Sequence, residues 1–118
     1  MRILPAVTSI VASTIALANV AAGTAVAARG DDAAISISTF QFAPDTLRVK
    51  AGTRVIWTNT DDIEHTITSG TPDDNTGPFH GVAAKRDATY SATLNEPGTF
   101  RYFCDRHRFM NGTVIVTR

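Results

Sequence analysis

Thr99-Phe100-Arg101-Tyr102-Phe103-Cys104-Asp105-Arg106-His107-Arg108-Phe109-Met110, closed by Gly112-Thr113-Val114-Ile115-Val116-Thr117, decides how this chain is read. Thr99 to Phe103 is an aromatic strand, with Phe100 and Tyr102 on one side and Phe103 on the other. Gly112 to Thr117 is a second strand, with Val114 and Val116 opposite Thr113 and Ile115. The turn between them holds the only cysteine of the chain, one of its 3 histidines and its only methionine besides Met1. Cys104, His107 and Met110 follow one another at steps of three. A thiolate, an imidazole and a thioether together suit copper better than zinc, or than magnesium in an oxygen cage. His65, in Glu64-His65-Thr66-Ile67, offers a fourth donor. Two histidines, one thiolate and a weak axial thioether are the ligand set of a mononuclear blue-copper electron-transfer site.

Composition narrows the alternatives. The chain has 118 residues, enough for one small domain. Lys+Arg and Asp+Glu stand at 11 each, so no bulk charge calls for nucleic acid. One cysteine excludes an internal disulfide, a two-thiolate binuclear copper centre and a four-cysteine zinc or iron–sulfur site. Three histidines are too few for a multicopper cluster.

The N-terminus reads as a leader. Arg2 precedes an uncharged run from Ile3 to Ala28, which ends in Ala25-Val26-Ala27, the small-x-small pattern cut by a signal peptidase. We expect a cleavable signal peptide over 1–27 and a single domain over 28–118, exported to the periplasm. An uncleaved membrane anchor is the alternative, since the run is long enough to span a bilayer. Thr8, Ser9, Ser13, Thr14, Asn19, Gly23 and Thr24 dilute its hydrophobicity and favour cleavage. The mature chain stays near neutral and carries no expected membrane insertion. Its cysteine has no partner within the chain; a metal or a free thiol are the two readings left.

From Ile35 onward the pattern is that of short strands. Ile35-Ser36-Ile37-Ser38 alternates, and Phe40 and Phe42 supply bulk just before Pro44, which ends or bends that strand. Thr46-Leu47-Arg48-Val49 is a second strand, and Thr53 to Thr58 a third with Val55 and Trp57 toward the core. Asn59-Thr60-Asp61-Asp62 is a polar break. His65-Thr66-Ile67-Thr68 is a brief strand that starts on the histidine, and 69–81 is a long irregular loop. Tyr90, Ala92 and Leu94 alternate against Thr89, Ser91 and Thr93, and Asn95-Glu96-Pro97-Gly98 is a strong turn. No stretch beyond the leader holds a helical period. The expected fold is all-β, an antiparallel Greek-key sandwich.

The ordered set Trp57-Thr58-Asn59, Asp62, His65-Thr66-Ile67, Glu96-Pro97-Gly98-Thr99-Phe100-Arg101-Tyr102-Phe103-Cys104, His107 and Met110-Asn111-Gly112-Thr113-Val114-Ile115-Val116 resembles the cupredoxins, the small blue copper proteins. The pattern is nearest the plastocyanin, pseudoazurin and amicyanin group, and the short Cys-x-x-His-x-x-Met loop is similar to that of amicyanin. The resemblance implies one copper ion, Cu(I)/Cu(II), held by His65, Cys104 and His107 with Met110 axial. It implies that His107 is the solvent-edge ligand through which electrons leave, and that Gly112 lets the chain turn away from the site. It further implies an electron carrier rather than an enzyme, a monomer whose partners are a redox donor and acceptor such as a c-type cytochrome or a periplasmic dehydrogenase.

Two departures from the family pattern bear on function. Thr66 stands where Asn is frequent. Arg106 and Arg108 stand where prolines flank the second histidine, which leaves the loop less pre-stiffened. We expect these arginines to steer docking toward an anionic partner and to favour Cu(I). Against this reading stand blander ones. Cys104 alone would be a buried thiol, His65 alone a structural histidine, and Met110 a core filler. His80 reads as a solvated surface residue, and Asp61, Asp62, Glu64, Asp73 and Asp74 as a solvated rim. Phe79 and Phe109 either form a docking patch or shield the site. In place of electron transfer, the alternatives are a copper-delivery or tolerance protein and a sandwich module that binds zinc or nothing. An oxidase is disfavoured because a closed ligand set leaves no coordination position for substrate.

Overall fold

A computed structural model describes residues 31–118; the expected leader and the boundary at 28 lie outside the described residues. Nine strands run in order: β1 (Asp32–Ser38), β2 (Gln41–Ala43), β3 (Thr46–Lys50), β4 (Thr53–Asn59), β5 (His65–Ser69), β6 (His80–Ala83), β7 (Thr89–Leu94), β8 (Gly98–Phe103) and β9 (Asn111–Thr117). They form two sheets, ordered β2-β1-β4-β7 and β3-β9-β8-β5-β6. Among the described residues no helix is long and apolar enough to cross a membrane.

Alternation along the strands builds the core between the sheets. Ile35, Ile37, Val55 and Trp57 are buried from one sheet, and Val49, Ile67, Tyr102, Val114 and Val116 from the other. Trp57 is the central side chain, with its ring centroid 5.5 Å from Tyr102, 5.4 Å from Phe79 and 5.7 Å from Tyr90. Truncating a side chain of that size in a packed core costs about 3–5 kcal/mol.

The expectation of an antiparallel sandwich needs correction, because both sheets are mixed. β1 runs parallel to β4, and β3 runs parallel to β9. After the β1–β2 hairpin the chain crosses to the other sheet as β3 and returns as β4, so β1 and β4 meet through a crossover and point the same way. Two strands were also not expected. β2 is a three-residue edge strand, and β6 lies at the end of the stretch read as loop.

The β1–β2 hairpin turns on two residues, Thr39 and Phe40, whose φ angles are 53° and 58°. Positive φ at both central positions is the type I′ requirement, normally met by Asn-Gly. For residues with a Cβ this left-handed conformation costs about 1–2 kcal/mol each. Gly112 is not a turn residue. It lies inside β9 opposite Tyr102, and a Cβ there would collide with the Tyr102 ring. Its role is to leave room for that ring, which corrects the expectation that it lets the chain turn away.

Candidate metal centre

Cys104 comes directly after β8, and the loop beyond it is tied by its own backbone. The His107 N–H donates to the Cys104 carbonyl at 3.2 Å, and the Met110 N–H to the His107 carbonyl at 2.8 Å. The Cys104 N–H donates to the Met110 carbonyl at 3.1 Å. Each step of three in the sequence is thus one turn of hydrogen-bonded chain. Backbone bonds supply the stiffness that proline would otherwise give. His65 opens β5, which pairs with β8, so it reaches the same point from the sheet.

The donor atoms converge. One ligand atom each from His65, Cys104 and His107 lie within 4.8 Å of one another. Cys104 Sγ is 3.8 Å from His65 Nδ1 and 3.6 Å from His107 Nδ1. A metal about 2.3 Å from sulfur and about 2.05 Å from nitrogen with donors spread about 120° apart requires sulfur–nitrogen separations of about 3.8 Å, which the two observed separations match closely. Cys104 and His65 are wholly buried, Met110 is buried, and His107 is partly exposed. Three of the four expected ligands therefore bring their donor atoms together, with one histidine at the surface, and Met110 is buried and tied by its backbone to Cys104 and His107.

Two further groups fix the sulfur side. The Thr66 N–H donates to Cys104 Sγ at 3.3 Å. Thr66 Oγ1 accepts the Asp105 N–H at 2.7 Å, so the residue that replaces the frequent Asn does tie β5 to the ligand loop.

The other face of His65 was not expected. Its Nε2 lies 2.9 Å from Asp61 Oδ2, an acid read as solvated rim whose side chain is only 15% exposed. Asp61 also accepts the Thr39 N–H at 2.7 Å and the Phe40 N–H at 3.0 Å. Burial pushes the Asp61 carboxyl up, but these two amides and His65 outweigh it and hold the carboxyl below its usual value. Fully buried Asn59 sets the loop that carries Asp61. Its amide donates to the Ile63 carbonyl at 2.7 Å and the Ala83 carbonyl at 3.1 Å, and its Oδ1 accepts the Asp61 N–H at 2.8 Å. The sequence signal for this device was an Asp four residues before a candidate ligand histidine, in a polar break after a strand.

Around the exposed edge, the Phe40 ring stands edge-on to His65 at 5.4 Å and to His107 at 5.0 Å, with Phe109 6.4 Å from it. Phe109 is 70% exposed, whereas Phe79 is buried against Trp57 and lies in the core, neither patch nor shield. His80 is exposed on β6. Arg106 pairs with Glu64 at 2.6 Å, and Arg108 approaches Asp105 at 3.5 Å.

Residues 8–116 match the family model of the cupredoxin-like domain. Amicyanin-alpha of Methylorubrum extorquens is 34% identical over 82 residues, 70% of this chain and 69% of that protein. Amicyanin of Paracoccus versutus is 31% identical over 86 residues, 73% of this chain and 65% of that protein. The chain thus spans about two thirds of the length of these relatives. Among solved structures, a purple cupredoxin from Nitrosopumilus maritimus superposes with a TM-score of 0.66 at 26% identity, over 73% of this chain and all of that one.

Proposed function

The chain belongs to the cupredoxin-like domain family, and on that premise we propose that it is a type 1 copper protein that carries single electrons between redox partners. In this reading His65, Cys104, His107 and Met110 would hold the ion. The observation that carries it is the convergence of three soft and borderline donors within 4.8 Å, delivered by a strand start and a hydrogen-bonded loop. The bound ion supplies one-electron chemistry by alternating between Cu(II) and Cu(I).

The chain's own contribution is rigidity and insulation. Backbone bonds within 104–110 and the Thr66 contacts keep the donors in one arrangement, so little reorganises when charge changes. Burial of Cys104, His65 and Met110 excludes water and substrate from the centre. His107, partly exposed beside Phe40 and Phe109, is the route for electrons to a partner. The closed donor set argues for a carrier and against an enzyme. Within this proposal the leader over 1–27 exports a monomeric domain over 28–118, with Greek-key connectivity, to the periplasm. A c-type cytochrome or a periplasmic dehydrogenase is the class of partner.

The test is a visible spectrum of the purified protein titrated with Cu(II), repeated on Cys104→Ser. An intense blue sulfur-to-copper band, bleached by a one-electron reductant and absent in the variant, supports the reading. A pale spectrum that survives in Cys104→Ser removes Cys104 from the ligand set and turns the reading to copper delivery.

A further inference from the structure

We propose that Asp61 is the positioning residue of this centre: one carboxylate clamps the left-handed Thr39–Phe40 turn and His65 together, and so locks the Phe40 ring against both histidines. The inference rests on the proposed role of His65 and His107 as ligands. It starts from three N–H groups that meet on two oxygens. Thr39 donates to Oδ1 at 2.7 Å, and Phe40 donates to Oδ2 at 3.0 Å. His65 Nε2 meets Oδ2 at 2.9 Å, and because a carboxylate oxygen only accepts, this contact assigns the proton to Nε2 and leaves Nδ1 toward Cys104 Sγ.

Each partner needs the others. The turn holds Thr39 and Phe40 at φ 53° and 58°, a conformation that residues with a Cβ adopt uncommonly. The carboxylate binds both amides. The neighbouring Thr60 pins the same loop to β1, its N–H and Oγ1 both donating to the Ile37 carbonyl at 2.8 and 2.7 Å. With the turn held, Phe40 packs edge-on to His65 and His107. A metal-ligating histidine is oriented by what its other nitrogen donates to, and a carboxylate there fixes the tautomer and makes the imidazole a stronger ligand. Asp61 thus sets His65 directly and His107 through Phe40.

The near-isosteric variant Asp61→Asn tests this, because its amide keeps one acceptor oxygen and turns an NH2 toward donors. The measurements are amide hydrogen exchange and the His65 Nε2–H resonance, on the full protein loaded with Cu(I) and again metal-free, together with the midpoint potential. We expect exchange at Thr39 and Phe40 to quicken about tenfold or more, the factor carried by one charge-assisted bond. The His65 N–H signal should broaden or vanish, and the potential should rise as a nearby negative charge is lost. In a Thr39→Asn, Phe40→Gly background, where the turn no longer strains, the Asp61→Asn effect on turn exchange should shrink while the His65 effect persists. Unchanged exchange at Thr39 and Phe40 with an unchanged His65 signal overturns the clamp. The metal-free arm separates this outcome from failure of the copper reading, which is judged by the Cys104→Ser spectrum alone.

Discussion

The Thr66 backbone N–H points at Cys104 Sγ from 3.3 Å, and the same residue's hydroxyl receives the next amide of the ligand loop, that of Asp105, at 2.7 Å. Thr66 therefore holds the loop twice, once at the sulfur and once at the chain. The two contacts separate by mutation. Thr66→Val keeps the shape and the backbone donor but removes the acceptor for Asp105 together with the 3.1 Å contact to the Thr68 hydroxyl. A hydrogen bond of this kind contributes about 1 kcal/mol, and an N–H left without a partner costs about 1–3 kcal/mol. Thr66→Val should lower the urea midpoint accordingly, with the slope unchanged. The blue band should persist, because Cys104 keeps its donor. A variant as stable as the parent would show that the hydroxyl's contacts to Asp105 and Thr68 contribute nothing.

Gly112 and Tyr102 make a second pair, across β9 and β8. The ring of Tyr102 occupies the space a Cβ would need. It is wedged there by Phe42 at 4.7 Å and Trp57 at 5.5 Å, so it has nowhere to retreat. Overpacking of such a core costs about 1–3 kcal/mol. Gly112→Ala should lose that much in chemical denaturation. If Gly112→Ala matched the parent midpoint, the close approach would be one the sheet relieves freely.

Tyr102 also gives the protein an alkaline limit. Its hydroxyl is buried and has no hydrogen-bond partner among the described residues. Burial pushes its phenol well above the ordinary value, and the neighbouring Trp57 indole offsets this only in part. The neutral phenol is the form the fold accepts. A folded value raised above the unfolded one means that stability is complete below the unfolded value, near pH 10, and falls as pH rises beyond it. Tyr102→Phe removes the titrating group and an unpartnered oxygen together. It should match or exceed the parent at pH 7 and lose less stability between pH 10 and 12, as followed by urea midpoints across that range. Parallel decline of both proteins would assign the alkaline loss elsewhere.

Most of the centre was legible because its signal is local. Cys104, His107 and Met110 stand three apart, and the fold turns that spacing into successive backbone hydrogen bonds. Strands such as β4 and β9 were legible from alternation, since Val55, Trp57, Val114 and Val116 all reach the core. What escaped depends on partners distant in the chain. β2 has three residues and is reached through Thr39–Phe40, a turn with none of the glycine or asparagine that marks a hairpin; its two amides are bound by Asp61, about twenty residues later. Asp61 reads as rim because nothing in Asn59-Thr60-Asp61-Asp62 says which acid turns inward; buried Asn59 decides that from within the fold. The parallel pairings β1–β4 and β3–β9 join strands by crossovers, which no alternation pattern encodes.

The arginines of the ligand loop were expected to place positive charge beside His107, and each has an acidic neighbour. Arg106 meets Glu64 and Arg108 meets Asp105, so the face is close to neutral as it stands. Pairs this exposed add about 0–1 kcal/mol, so their removal leaves stability nearly unchanged. Their effect on rate is larger. Arg106→Gln with Arg108→Gln leaves Glu64 and Asp105 uncompensated and makes the face around His107 more negative by two charges. Reduction by hexacyanoferrate(II), a small anionic donor, should then slow most near 0.01 M salt, where the screening length is about 30 Å. The two proteins should converge toward 1 M, where it is about 3 Å. Stopped-flow rates across that range decide the matter. An identical salt dependence in both proteins would mean that electrons enter away from the Arg106–Arg108 edge, and that His107 is not the port.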